Sequence, residues 1–247
     1  MNIHKEGLIC GRHPVLEAIK NNTQIDRILL QQGMRGEVER EFRHICKEYN
    51  IPTQFAPKQK LDFLAKKTNH QGIIALTAAV QYHHLADVLP YLFEQGVTPL
   101  ILMLDGITDV RNFGAIARSA EVFGVHAIVI PQKGAAQINA DAMKTSAGAL
   151  NNVTVCRETS ILTAVEFLQQ SGVVVYASDL EAKKTIHSIN FSIPCAIVIG
   201  SEGDGISKPV QRAAEELFVI PQIGKTGSLN VSVATGIMLY EVAKNRM

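Results

Sequence analysis

Residues 217–245 read LFVIPQIGKTGSLNVSVATGIMLYEVAKN. A β-rich run over 217–220, a glycine loop carrying Lys225 and Thr226, and an apolar helix-like stretch follow one another. That is the layout of a loop that cradles a triphosphate with backbone N–H groups and a lysine. The chemistry needs a glycine five positions ahead of Gly224, and the residue there is Val219, which argues against a nucleotide hydrolase. What the stretch keeps is a pair of polar residues where an apolar helix begins. Ser228 is a natural N-cap. Asn230, just inside a helix apolar nearly all round and hence expected to be buried, must find partners in another loop or in a ligand. Gly236 in the middle of that helix costs about 1 kcal/mol relative to Ala, which suggests close packing against a neighbour.

Two other stretches carry a similar load of Gly, Asn, Ser and Glu. DGITDVRNFGAIARSAEVFG starts at Asp105 and IGSEGDGIS at Ile199. In the first, Asn112 stands at a helix start and Arg118 six residues on. Asn112 reads equally as a plain N-cap. Arg118 lies among Ala115, Ile116, Ala117, Ala120 and Val122, on a helix fit for burial, where a guanidinium needs an anionic or carbonyl partner; a structural ion pair would serve as well as a function. In the second, Gly200, Gly203 and Gly205 surround Ser201 and Glu202. The order GxxGxG is not that of a dinucleotide fold. Glycines there allow close approach of backbone to a ligand, or simply a tight turn. A G-x-S-x-G elbow, an HExxH pair and a nucleotide-hydrolase pattern are all missing from the chain.

The elements that must position these residues alternate along the chain. Over the first 80 residues, strands GLIC, IDRILLQ, IPTQFA and GIIALTAAV are separated by helices HPVLEAIKN, GEVEREFRHICKEYN (apolar at Val38, Phe42, Ile45 and Tyr49) and KQKLDFLAKK, a small α/β sandwich. Residues 81–98 read as a linker with a short helix broken around Pro90. From 99 to 247, apolar β-branched runs at 100–104, HAIVIP, VTVC, VVVYAS, CAIVIG and LFVI alternate with helices, including ADAMKTSAGAL and a last helix from about Ser228. That pattern makes a parallel sheet covered on both faces. All three polar loops follow strands, the place where open α/β sheets bind ligands.

Composition sets the frame. The 247 residues are 47% hydrophobic with a formal charge of +1. The charge is uneven: residues 1–80 hold 12 Lys and Arg against 8 Asp and Glu, a balance of +4, and the remainder balances at −3. A basic front half fits a polyanion partner and fits an ordinary solvated surface equally well. Cys10, Cys46, Cys156 and Cys195 are too widely spaced for a zinc site or a disulfide framework, and Cys156 and Cys195 fall in strands as small core hydrophobes. The start MNIHKEGLIC lacks a signal-peptide layout and no apolar run reaches a membrane span, so a cytoplasmic protein is expected.

At the three loops the sequence resembles the SpoU/TrmH family of RNA ribose 2'-O-methyltransferases, within the SPOUT superfamily. The resemblance is carried by NFGAIARSAEVFG, IVIGSEGDGIS and IPQIGKTGSLNVSVATGIMLYE, in order and over about 150 residues. GRHPVLEAI and NHQGIIA are similar to the branch that modifies a guanosine of 23S rRNA. The resemblance implies a trefoil-knotted α/β domain at 99–247, an exception to the rule against knots, and a ribosomal-protein-like RNA-binding domain at 1–80. It implies S-adenosylmethionine bent in the knot against Gly200, Ile220 and Leu229, a homodimer with the site near the subunit interface, and no metal. By motif match it gives catalytic parts to Asn112, Arg118, Glu202, Ser228 and Asn230, with Arg118 as the base. Because a guanidinium normally stays protonated, stabilising an alkoxide or binding a phosphate are the other roles open to Arg118. A tRNA ribose methyltransferase and a non-catalytic rRNA-binding assembly factor on the same fold are the alternative functions.

Overall fold

The computed structural model describes residues 7–66, 68–225 and 227–247; Thr226 of the glycine loop and the first six residues fall outside them. Two compact units divide the chain between Gln81 and Tyr82. Unit one runs β1 (Leu8–Cys10), α1 (Arg12–Lys20), β2 (Ile25–Gln31), α2 (Glu37–Glu48), β3 (Thr53–Ala56), α3 (Lys58–Ala65) and β4 (Ile73–Thr77). Its sheet has the order β1-β4-β2-β3. Apolar residues at helical spacing on α1 and α2, among them Val15, Ile19 and Phe42, pack with Ile28, Leu30 and Ile73 on one face. Leu61 and Ala65 of α3 pack with Leu29 and Ile74 on the other. The central strands are therefore buried on both faces, which is why they read as near-continuous apolar runs. Tyr49 does not join the stripe of α2; it follows the helix and is exposed, and Cys46 is buried in its place.

Unit two runs β5 (Tyr82–His83), α4 (Leu85–Glu94), β6 (Leu100–Asp105), α5 (Val110–Val122), β7 (Ala127–Pro131), α6 (Ala140–Thr145), β8 (Thr154–Glu158), α7 (Ile161–Gln170), β9 (Val174–Ser178), β10 (Lys184–Thr185), β11 (Cys195–Gly200), α8 (Lys208–Ala213), β12 (Glu216–Val219) and α9 (Val231–Arg246). Its eight strands lie in the order β10-β12-β9-β11-β6-β7-β8-β5, and every ladder is parallel. From β6 the chain steps outward through β7 to β8, then crosses to β9, and β11 returns between β9 and β6. The reversal next to β6 is a topological switch point, where strand ends diverge and leave a crevice.

Of residues 81–98, expected as a linker, 82–98 lie within unit two. β5 pairs with β8, and Leu85 and Leu89 of α4 are buried with Ile161, Val165 and Leu168 of α7 against Ile101 and Met103. The helix continues through Pro90, which is exposed, so the backbone bond that proline forfeits is on the side water reaches. The helix expected over ADAMKTSAGAL stops at Thr145, because Ala147 and Gly148 take left-handed backbone at φ 51° and 91°.

Helices α5 and α9 pack on each other outside that cluster and cover the other face. Gly114 of α5 is required by α6: an added Cβ would lie 2.7 Å from Thr145 Cβ and 2.9 Å from the Ala142 carbonyl oxygen. Gly236 of α9 faces Ser119 at an ordinary 3.7 Å, so the packing there does not demand glycine. Nor is α9 buried all round. Val233, Ile237 and Tyr240 are exposed, as is Val122 of α5, leaving one apolar strip open.

Arg246 closes the opposite end of the sheet. Its guanidinium donates to the carbonyls of Phe191 (2.8 Å), Thr98 (2.8 Å), Pro99 (3.0 Å) and Ile193 (3.0 Å) and to Cys195 Sγ (3.3 Å). A delocalised five-donor cation suits several carbonyls better than an ammonium would. Nearby, burial and then the charge of Arg246 lower the pKa of His126, whose Nδ1 accepts the Leu100 N–H at 3.0 Å.

Candidate active site

The three polar loops meet at the C-terminal ends of β6, β11 and β12. The loop after β11 doubles back on itself, Ser201 and Gly205 exchanging backbone bonds of 3.1 and 3.0 Å. Gly205 adopts φ 66°, open to glycine without strain. A Cβ on Gly200 would lie 2.0 Å from the Gly205 carbonyl carbon, so no other residue fits there. The return presents Glu202 at its tip.

Glu202 is the meeting point. Its Oε1 accepts from Asn112 Nδ2 (3.1 Å), Asn230 Nδ2 (2.6 Å) and the Val231 backbone N–H (3.3 Å). Asn230 Nδ2 also donates to Asn112 Oδ1 (3.1 Å). One carboxylate oxygen thus ties the start of α5 to the start of α9, residues 118 positions apart. The helix starts depart from expectation in a way that makes this possible. Asp109, not Asn112, caps α5, its side chain accepting the Asn112 N–H at 2.7 Å. That leaves the Asn112 amide free to face the other loops. Asn230, not Ser228, caps α9, its Oδ1 accepting from Ser232 N at 3.0 Å.

Beside this knot of hydrogen bonds lies a cleft of about 260 Å³. Ile199, Ile206, Ile220, Leu229 and Met238 supply apolar wall, Gly200 and Gly203 bare backbone, and Ser201 and Ser228 hydroxyls. The three expected cofactor contacts, Gly200, Ile220 and Leu229, all line it, as do Glu202 and Ser228. One wall escaped the sequence reading: Ser178 at the end of β9, with Asp179 and Leu180 after it. Asp179 is pinned by Gln211, by the Glu181 N–H on Oδ1 (2.7 Å) and through its own N–H to the Phe218 carbonyl. Its signal was a polar turn directly after a buried strand. Asp105 plays a similar fastening part, accepting the Ser207 N–H at 2.8 Å.

Arg118 is not brought to this cleft. It is exposed, where burial was expected, and lines a second cavity of about 470 Å³ with Ser146, Ala147, Gly148, Asn151 and Asn152. The helical spacing explains the error: inward positions of α5 are Phe113, Ile116, Ala117 and Ala120, and residue 118 points away from them. Among the described residues Arg118 forms no ion pair, although Glu121 lines the same cavity. His70, unassigned from sequence, is a buried structural residue, its Nδ1 accepting the Gly72 N–H and its Nε2 facing Asp62, both at 2.9 Å. Among the described residues no cluster of three or more His, Cys, Asp or Glu could hold a metal, and no helix is long and apolar enough to cross a membrane.

Comparison with known proteins matches both units to described families. Residues 99–240 match the SpoU rRNA Methylase family and residues 8–83 the RNA 2'-O ribose methyltransferase substrate-binding family. YacO of Bacillus subtilis, described as a TrmH family tRNA/rRNA methyltransferase, is 32% identical over 239 residues, covering 96% of this chain and 95% of its own. A Synechocystis sp. protein described as an uncharacterized tRNA/rRNA methyltransferase is 35% identical over 240 residues; the match takes in 97% of this chain and 62% of that longer protein. Among solved structures, the SpoU methyltransferase AviRb of Streptomyces viridochromogenes in complex with AdoMet superposes with TM-score 0.60 at 21% identity, covering 97% of this chain and 90% of its own. The A. aeolicus TrmH/SpoU tRNA modifying enzyme superposes at TM-score 0.56 and 28% identity, covering 66% and 84%.

Proposed function

We infer the function from one premise: the chain belongs to the SpoU rRNA methylase family. In this reading residues 99–247 transfer a methyl group from S-adenosylmethionine to the ribose 2'-hydroxyl of a guanosine in 23S rRNA, and residues 1–80 bind the RNA. The observation that carries it is the convergence of all three family motifs on Glu202, through Asn112 and Asn230, at the mouth of a cleft. The cleft fits the cofactor in kind: apolar walls for an adenine, and backbone at Gly200 that no side chain can cover. Ile220 and Leu229 would hold the adenosine beside Gly200. A trefoil knot around the cleft is the family's way of making it.

When bound, the cofactor supplies an electrophilic methyl carbon on a sulfonium. The chain's own part is alignment, which can lower the barrier by several kcal/mol. Glu202 has three donors on Oε1 and acts by fixing Asn112 and Asn230 rather than by taking a proton. The Ser228 hydroxyl, exposed at the cleft, orients the ribose. Arg118, protonated, stabilises the charge that develops on the 2'-oxygen as the hydroxyl proton passes to water, or holds the neighbouring phosphate. Since Arg118 lies off its own chain's cleft, it acts on that of a second copy. The open strip of Val122, Val233, Ile237 and Tyr240 beside it on α5 and α9 is the surface such a homodimer would cover.

Nucleoside mass spectrometry on rRNA from cells lacking the gene tests the reading. Loss of one 2'-O-methylguanosine is expected, and an unchanged rRNA inventory overturns it. The same measurement on tRNA distinguishes the second reading, a tRNA ribose methyltransferase; the relatives' names print both RNA classes.

A further inference from the structure

We propose that the RNA backbone lies across one end of the unit-one sheet, on a rim formed by Arg35, Arg40, Lys58 and Lys60. The proposal rests on the reading of this unit as the RNA-binding part, and adds where on it the RNA sits.

β1 and β2 both run antiparallel to β4, and β3 runs parallel to β2. The segments leaving β1, β2 and β3 therefore emerge at one end of the sheet, together with the segment entering β4. Backbone bonds stitch them there: Gly11 N to Ile73 O (2.9 Å), Gln31 N to Gly72 O (2.8 Å) and Gln32 N to Ala56 O (2.8 Å). Arg35 lies in the loop after β2, and Arg40, Lys58 and Lys60 in the first turns of α2 and α3. All four are exposed, and among the described residues none is paired with a carboxylate. The carboxylates of Glu41 and Glu39 are occupied by Arg12 and Arg43, both at 2.8 Å, which leaves Glu37 and Asp62, the latter facing His70 at 2.9 Å, to offset the rim.

The position of these cations is what needs explaining. Helix starts carry positive partial charge, so Lys and Arg there are placed against the local field, whereas at helix ends they complement it. The lysines at the other end of this unit obey the rule: Lys20 and Lys47 sit in the last turns of α1 and α2, and Lys66 follows α3 as its C-cap. At the rim Glu37 and Glu39 complement the start of α2, but Lys58 and Lys60 stand at the start of α3 against the rule, with no acidic residue in its first turn. No side chain caps either helix start, so an incoming anion meets free backbone donors beside the four cations. An extended polyanion such as a phosphodiester backbone neutralises the whole rim at once.

The test is fluorescence anisotropy of a labelled 30-nucleotide single-stranded RNA of mixed sequence, titrated with the full chain over a series of KCl concentrations. Replacing Arg35, Arg40, Lys58 and Lys60 together by Gln is expected to weaken binding at least 10-fold. It should also flatten the slope of log K against log salt by up to about 3, at roughly 0.7 for each phosphate no longer neutralised. Replacing Lys20 and Lys47 by Gln is the control and leaves affinity within about 2-fold and the slope unchanged. The four-fold variant should melt no lower than the parent, since it relieves repulsion; if it does not fold, Arg35→Gln alone, in a loop, should flatten the slope by about 0.7. An unchanged slope in the rim variants, or equal weakening in the control, overturns the proposed face. Absence of RNA binding by the parent chain overturns the reading of the unit itself.

Discussion

Removing the Glu202 carboxylate should uncouple the three loops, and the size of the effect follows from its hydrogen bonds. Glu202→Ala deletes the acceptor shared by Asn112 Nδ2, Asn230 Nδ2 and the Val231 N–H, leaving the single Asn230–Asn112 bond of 3.1 Å between α5 and α9. A hydrogen bond to a buried charged group contributes about 1.5–3 kcal/mol. Glu202 is solvent-exposed, so each bond is better set at about 0.5–1 kcal/mol, or about 1.5–3 kcal/mol for the three. If the cleft binds S-adenosylmethionine only with the loops tied, calorimetry should show a Kd raised about 10- to 100-fold. Asn230→Ala, and the double variant, complete a thermodynamic cycle. A shared network predicts coupling of at least about 0.5 kcal/mol, because the second deletion removes bonds already broken by the first. Strictly additive effects, or a Glu202→Ala protein that binds with unchanged affinity, would refute the idea that this carboxylate organises the site.

Arg118→Ala should abolish turnover while cofactor affinity stays within a few-fold, measured by methyl incorporation and calorimetry in parallel; equal loss of both would make Arg118 structural. Ile237→Glu, on the exposed strip of α9, should shift the chain from dimer to monomer in sedimentation analysis, and a monomeric parent would remove the dimer from the mechanism. Arg246→Ala should destabilise unit two by about 3 kcal/mol through the Phe191, Thr98 and Ile193 carbonyls it leaves unpaired, the Pro99 carbonyl keeping the Cys195 N–H, lowering its melting point by about 6–12 °C at this size. Arg246→Lys should recover only part, and no shift in either would mean that water replaces the guanidinium. For His126 the folded pKa lies below the ordinary value of about 6.5. Between the two values the unfolded chain takes up a proton that the folded chain does not, so stability should fall as pH drops through 6.5. Urea midpoints at pH 7.5 and 5.5 should differ less in His126→Gln, and identical differences would sink the assignment.

Strands buried on both faces were legible because a continuous apolar run as short as LILML, ahead of a Gly-bearing polar loop, is too short for a helix and fits a covered strand. Two-residue β5 carries no period of its own and exists only because β8 offers an open edge, so residues 81–98 read as a linker until the partner is known. The loops were found by composition and by their place after strands, and all three converge. Their roles within the loops were less legible. Asp109 and Asn112, or Ser228 and Asn230, are cap-forming types a few residues apart, and which one caps is decided by where the other side chain is wanted. Arg118 was misplaced for a different reason: Ala on both sides suggests burial, but alanine is at home on either face of a helix, and only Ile116 and Phe113 reported the inward direction.

The fastening made by Arg246 also has a consequence in time. The carbonyl of Thr98, just ahead of the central strand β6, waits for a donor made 148 residues later. At about 5–20 residues per second of synthesis, β6 stands for about 7–30 s with that end unfastened. Through that interval β7, β8 and α7 can assemble beside it, and the edge of β6 that will take β11 stays bare until Cys195–Gly200 are made, about 5–20 s in. The nascent chain is most exposed to wrong pairing along that bare edge, and a holding chaperone would have most to protect there.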